Sequence, residues 1–425
     1  MLNPHICVAS FVRRQRWRVL STGTTTKRGP YLIQPWLVIG DMIFALETAD
    51  RIWKYQPDAT IDLLCTEVQI QIVADHPRMY QIALPRSFIP TPSSDGTEMR
   101  ILPIPKDFYE QSEHMTQIRL EYAALLPEYE TIFIEDPKNF ALLFGKRQNY
   151  THNSLRNFEI QAIVEKLSLL PLPMLKDIPK YIRTRVLVDD YFAVQPSLRN
   201  DRAEPVPLFL ARHRVANAER RVAQLKEQAE KPDGLLLLVG ADTSSSVTRP
   251  PAELLVSGIA RALHHNPRIV VGILPGYTCP EAHEQVYKEL EALYGRQIQY
   301  VVETALQPEH LLDTTALIDQ ADIFITGDTG LMHLAATQKI TPERDMSSIQ
   351  PRNNTAIITL WGGTRPGYWG YPKLTTILGE GNALQRQMYP GIRKYGWIHK
   401  KANYFGHIKP FDIAKAILEA QSKIH

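Results

Sequence analysis

The sequence is short of the features that would mark a specialised class. It has three cysteines, Cys7, Cys65 and Cys279. An odd number at wide separations excludes a disulfide framework and a close-spaced zinc site, and makes a reducing cytoplasm the simplest compartment. No stretch approaches the ~18 uninterrupted apolar residues of a membrane-spanning helix. Charge of one sign is scarce too, since 48 Lys and Arg stand against 45 Asp and Glu for a net of +3. The chain lacks the strong positive field of a nucleic-acid coat protein, so no nucleic-acid partner is expected and any charge preference is local. No G-x-G-x-x-G follows either candidate first strand, which argues against a dinucleotide dehydrogenase. There is no Asp-x-Asp pair, Asp189 and Asp190 being adjacent, and no metal site is expected. Acidic residues are absent before Asp41, where Arg13, Arg14, Arg16, Arg18, Lys27 and Arg28 stand among Ser and Thr. That start reads as a basic arm over residues 1–29, with weak attraction to anionic lipid headgroups or an organelle transit peptide as alternatives.

What is present is ordinary globular material. Hydrophobic residues make up 44% of 425, with 22 Gly and 31 Pro, enough for two or three cores and unlike disorder, collagen or coiled coil. From Tyr31 onward, short apolar runs alternate with amphipathic stretches, the pattern of strands covered by helices on both faces. A first strand at Tyr31–Gln34 leads to Gly40 and Asp41, then to a helix whose inner face carries Ala45, Ala49, Ile52 and Trp53. Residues 61–65 and Thr131–Ile134 read as further strands of that sheet. A charged, Ala-rich run at 217–231, ending at Pro232-Asp233-Gly234, reads as an exposed linker helix. Beyond it, Leu235–Val239, 268–274, 298–302, Ile323–Thr326 and 356–361 read as strands of a second doubly wound domain. The expected division is a first Rossmann-like domain at 30–215, a linker helix at 216–233, a second Rossmann-like domain at 234–405 and a final helix at 406–425.

In open parallel sheets, ligands bind at the carboxyl ends of strands, so three loops stand out. The first runs from Asp328 through Thr329, Gly330, Leu331 and His333. Asp328 or Thr329 can cap the helix there, and Gly330 lets backbone approach a phosphate, although an ordinary capped helix fits equally. The second, after Val239, holds Thr243, Ser244, Ser245 and Arg249, several donors and one permanent charge suited to a diphosphate. The third, residues 359–372, packs Trp361, Tyr368, Trp369 and Tyr371 among Gly and Pro, as a cleft wall or a structural cap.

Taken in order, Gly40-Asp41, the Thr/Ser loop ending in Arg249 and Pro251, GDTGLMHLAA at 327–336 and LWGGTRP at 360–366 resemble glycosyltransferase family 9, the heptosyltransferases of lipopolysaccharide synthesis and their relatives. The resemblance spans residues 31–379. It implies a GT-B fold, α/β with two Rossmann-like domains facing across a cleft, the first for the acceptor and the second for the nucleotide sugar. It also implies that the segment 410–421 crosses back as a helix onto the first domain. The implied activity is inverting transfer of a heptose or similar sugar with no metal and no cofactor. The co-substrate is a nucleotide-diphosphate sugar, ADP-sugar favoured, and the acceptor a glycan or lipid-linked hydroxyl. The chain is expected to be a cytoplasmic monomer with a peripheral contact at the inner face of the membrane.

Asp41 matches the family's Gly-Asp position and is the expected base, with helix capping as its bland alternative. Thr243, Ser244, Ser245, Arg249, Asp328, Thr329, Gly330, Leu331 and His333 are the expected donor contacts. The family often has Lys, an aromatic and Pro where this chain has Arg249-Pro250-Pro251, so which of the positions 248 and 249 takes the cationic role stays open. Glu281, with Glu284 near it, falls where the family places an acid near the ribose, and both also suit a solvated helix face. Gly40, Arg147 and His152, the latter two in a basic stretch with Lys146 and Arg156, are acceptor-side candidates, a solvated surface being the alternative. A nucleotide-sugar epimerase of the same fold and a non-catalytic nucleotide-sugar binding protein are the competing readings.

Overall fold

A computed structural model of the chain describes residues 30–35, 39–80, 99–104, 113–126, 129–134, 150–152, 188, 191–192, 206–240, 243, 248–276, 279–301, 311–341, 351–352, 355–364, 366, 370–371, 374–379 and 404–424. The expected arm at 1–29 lies outside them, as do Ser244, Ser245, Lys146, Arg147 and Arg156. The contacts divide the chain into two units, residues 1–70 with 78–202, and residues 71–77 with 203–425.

The first unit is built on a six-stranded sheet. Its strands are β1 (Tyr31–Gln34), β2 (Ile61–Thr66), β3 (Met79–Tyr80), β4 (Met99–Ile104), β5 (Thr131–Ile134) and β6 (Tyr150–His152), in the order β3-β4-β2-β1-β5-β6. Every pairing is parallel. Helix α1 (Ile39–Tyr55) follows β1 and buries Ala45, Ala49, Ile52 and Trp53, the face its spacing predicts. The short α2 (Glu67–Ile72) follows β2, and α3 (Glu113–Leu125) precedes β5.

The second unit repeats the plan. Strands β8 (Leu235–Val239), β9 (Ile269–Ile273), β10 (Ile298–Tyr300), β11 (Ile323–Thr326), β14 (Ala356–Leu360) and β15 (Thr375–Leu378) form a parallel sheet of order β10-β9-β8-β11-β14-β15. All but β15, which the sequence reading does not announce, lie within a few residues of the apolar runs that predict them. A three-stranded sheet joins β7 (Pro207–Phe209) to β12 (Gln338–Ile340) in parallel, and β12 to β13 (Pro351–Arg352) in antiparallel fashion. In both large sheets the strand order reverses beside the first strand. The topological switch point therefore lies between β1 and β5 in one unit and between β8 and β11 in the other, the places where such sheets hold ligands.

Two boundaries differ from expectation. The supposed linker helix is α4 (Arg212–Gln228), which starts earlier and belongs to the second unit. Its spacing hides an apolar stripe, Val215, Ala218, Val222 and Leu225, all buried. Arg214 Nε meets Asp75 at 2.9 Å and Arg214 Nη1 meets Asp313 at 2.8 Å, which draws residues 71–77 into the second unit. The boundary consequently falls at 202–203 rather than after 215.

The other difference concerns the last helix, α9 (Pro410–Ile424). It packs within the second unit, against α5 (Ala252–His265). Ile413, Ala414, Ala416, Ile417 and Ala420 join that unit's core. Each fully buried Ile contributes roughly 1.5–3 kcal/mol. The helices approach so closely that a Cβ on Gly258 would stand 2.7 Å from Ile413 Cβ, so only glycine fits there without movement.

Candidate functional site

The switch point of the second unit is held by hydroxyl groups. Thr326, the last residue of β11, donates from Oγ1 to Gly240 O at 2.7 Å, joining the ends of β8 and β11. Its Oγ1 also lies 3.1 Å from Thr329 Oγ1. With the Thr326 proton given to Gly240, Thr329 is the donor in that pair. Thr329 is the N-cap of α8 (Gly330–Ala335), its Oγ1 accepting from Met332 N at 3.4 Å. Thr329 rather than Asp328 thus caps the helix, a contact worth ~1 kcal/mol. The threonine side chains shape the turn. What the turn offers a ligand is backbone, since the first N–H groups of any helix lack an intrahelical acceptor.

The second loop meets the first at a glycine. A Cβ on Gly327 would lie 2.7 Å from Thr248 O and 3.1 Å from Pro250 Cδ, so the backbones touch there only because residue 327 has no side chain. Thr243 Oγ1 and Thr248 Oγ1 are 2.9 Å apart, and Thr248 is buried. Arg249 folds back on this loop, donating from Nε and Nη2 to Thr243 O at 3.2 and 2.5 Å. Arg249 also lines a small pocket with Pro250, Ala252 and His283. The loop then enters α5, with Pro251 as N-cap and Glu253 in the first turn.

The third loop reaches the same corner. His333, buried in α8, has Nδ1 at 3.0 Å from Tyr371 Oη, and the rings meet edge-on at 5.6 Å. Trp361 is fully buried and donates from Nε1 to Thr359 Oγ1 at 2.9 Å. The carboxyl edge of the second sheet thereby brings together Gly240, Thr243, Thr248, Arg249, Thr326, Thr329 and, through Tyr371, His333. Leu331 is buried beside them and Asp328 is half-buried.

Helix α6 (Pro280–Tyr294) gives a different answer for the acidic candidates. Glu281 is exposed, its carboxylate 3.8 Å from Cys279 Sγ, and Glu284 pairs with Lys288 at 3.0 Å in solvent. The buried polar residue of that turn is His283, whose Nδ1 lies 2.7 Å from Leu274 O. Sequence reasoning missed it, although His283, Val286 and Leu290 share the inward face at helical spacing.

In the first unit, Gly40 and Asp41 lie in the first turn of α1, beyond the carboxyl end of β1 and hence at that unit's switch point. Both are buried, and the Asp41 carboxylate stands where the helix dipole favours an anion. His152 is the last residue of β6, with only its backbone described.

The sequence model of glycosyltransferase family 9 (heptosyltransferase) matches residues 280–343. That segment runs from the start of α6 past β12 and includes the whole Thr326–Thr329 turn. A sequence search of curated proteins returns no match. Among solved structures, the chain is similar to a family 9 glycosyl transferase from Veillonella parvula, with a TM-score of 0.59 at 12% identity over 95% of this chain and 98% of that one. It is similar to E. coli ADP-heptose lps heptosyltransferase II, with a TM-score of 0.57 at 13% identity over 92% and 98% of the two chains. For E. coli heptosyltransferase WaaC with ADP the values are 0.54, 15%, 93% and 99%. At such identities the structural likeness is one of fold, and the fold is GT-B. The family resemblance read from the motifs and the α/β class of two Rossmann-like units are both borne out.

Proposed function

We propose, from the premise of a family-9-type glycosyltransferase, that the chain moves a heptose or similar sugar from a nucleoside-diphosphate sugar to an acceptor hydroxyl with inversion and without a metal. The observation that carries this reading is the convergence of three loops at the β8–β11 switch point, one of which, the Thr326–Gly330 turn, lies inside the segment matching the family. Backbone N–H groups at Gly330 and Leu331 and the positive charge of Arg249 suit a diphosphate. The leaving diphosphate gains charge as the sugar acquires oxocarbenium character, so donors already aimed there are worth more than in water.

Asp41 is the proposed base. The acceptor oxygen bonds to the anomeric carbon, the bond from that carbon to the phosphate oxygen breaks with its electron pair leaving on the diphosphate, and the hydroxyl proton passes to the Asp41 carboxylate. Such a base contributes typically ~10²- to 10⁴-fold. ADP is the favoured nucleotide, since both E. coli neighbours carry it in their descriptions. The proposed acceptor is a glycan or lipid-linked hydroxyl met at the cytoplasmic face of a membrane by a monomer. No helix among the described residues is long and apolar enough to cross the bilayer.

A thermal-shift screen against ADP-, GDP-, UDP- and dTDP-sugars tests the reading. A donor at ~100 times its Kd should add about 2.7 kcal/mol to stability. Silence with all four sinks it, and sugar isomerisation without acceptor would make the chain an epimerase instead.

A further inference from the structure

Lysine is rarely buried without a reason, yet Lys339 at the centre of β12 is 3% exposed. Its Nζ donates to Thr337 O at 2.9 Å and also to Ala335 O. Ala335 is the last residue of α8. The neighbouring carbonyls are also covered, Met332 O by Ala336 N at 3.0 Å and Leu334 O by both the N–H and the hydroxyl of Thr337. The charged donor thus sits where the helix dipole is negative and the last carbonyls need partners.

Among the described residues, few charged groups surround the ammonium. Asp319 approaches from α7 (Leu311–Gln320), Arg352 stands opposite Lys339 in register on β13, and β7 presents Leu208. On α8 itself, His333 is engaged by Tyr371. Burial pushes Lys339 down to about 8, with the Asp319 carboxylate opposing the shift. An apolar side chain would be cheaper to bury, so stability alone does not account for a charge here.

We propose that Lys339 is a positioning residue for the donor: by anchoring the far end of α8 it fixes where the Thr329–Gly330 turn presents its backbone. This rests on the reading of that turn as the diphosphate site. Helix α8 has six residues and is about 9 Å long at 1.5 Å per residue, so a shift at Ala335 is carried to Gly330.

The test is calorimetric binding of ADP, GDP, UDP and dTDP, with thermal unfolding recorded in parallel, from about pH 6.5 to about 9.5. The folded-state value of about 8 lies below the ordinary 10.5. Between them the unfolded chain binds the extra proton, so this group's own linkage makes stability rise with pH. A positioning role gives the opposite sign for affinity, a loss of about threefold or more as the ammonium deprotonates. Lys339→Met should weaken nucleotide binding about tenfold near pH 7 and flatten the profile, with circular dichroism unchanged. Wild-type affinity that is level across this range, or a folded Lys339→Met that binds like the wild type, overturns the assignment. If Lys339→Met fails to fold, the wild-type profile decides. A wild-type chain that binds none of the four nucleotides overturns the underlying reading as well, which separates the two failures.

Discussion

The two units share a six-stranded parallel sheet with the switch point beside its first strand, but fill it differently. In the second unit, β8 and β9 are buried throughout and carry only aliphatic residues and one glycine. In the first, Asp62 lies fully buried in β2 and accepts from the Tyr129 hydroxyl, while Tyr31 of β1 donates to Gln56 Oε1 at 2.8 Å. An aliphatic strand is positioned by pattern alone and tolerates exchange of similar volumes. A buried carboxylate must keep its donors, and so admits fewer arrangements. The switch points differ in the same spirit. One is a web of hydroxyls and carbonyls that shapes a helix N-terminus, whose N–H groups are proposed to hold an anion, and the other is a buried acid on a helix turn, proposed to take a proton.

That contrast can be broken in steps. Replacing Asp41 with Asn should cut turnover by ~10²- to 10⁴-fold and leave nucleotide affinity in place. Loss of binding without loss of turnover per bound donor would erase the division of labour. Gly327→Ala should do the reverse, because the new methyl meets Thr248 O and pushes the two loops apart. Nucleotide affinity should drop by about tenfold in titration calorimetry while circular dichroism stays unchanged. In the second unit's core, Gly258→Ala overpacks against Ile413, at about 1–3 kcal/mol in denaturant unfolding. An effect of comparable size belongs to the first unit. Tyr129→Phe removes one donor from Asp62 and should cost about 1–3 kcal/mol without altering nucleotide affinity. Equal sensitivity of binding to Tyr129→Phe and Gly327→Ala would mean that the units do not divide the work.

Much of this architecture is legible in the residues. Leu235–Val239 is an uninterrupted apolar run between turn signals, and the structure makes it a strand over that very span. Thr329 ahead of Gly330 reads as a cap and is one. The face of α1 follows from its spacing. Other features leave no local trace. Strand β7 has three residues and pairs with β12 more than a hundred positions later, which no periodicity reveals. Helix α4 looks solvated because four small or medium apolar residues are outnumbered by charges, although those four are what it buries. Lys339 reads as a surface lysine because its partners, the carbonyls of Ala335 and Thr337, are backbone groups that any sequence would supply. The crossing of α9 onto the first domain follows from kinship, whereas its seat against Gly258 in the second unit leaves no local trace in the sequence.

The bond between His333 and Tyr371 has a practical use. The imidazole and the phenol share a hydrogen in a site that solvent barely reaches. Its exchange with bulk water should be slow enough for a resolved downfield proton resonance. Occupancy of the adjacent turn can then be followed by nuclear magnetic resonance on the unlabelled chain, with the protein serving as its own indicator.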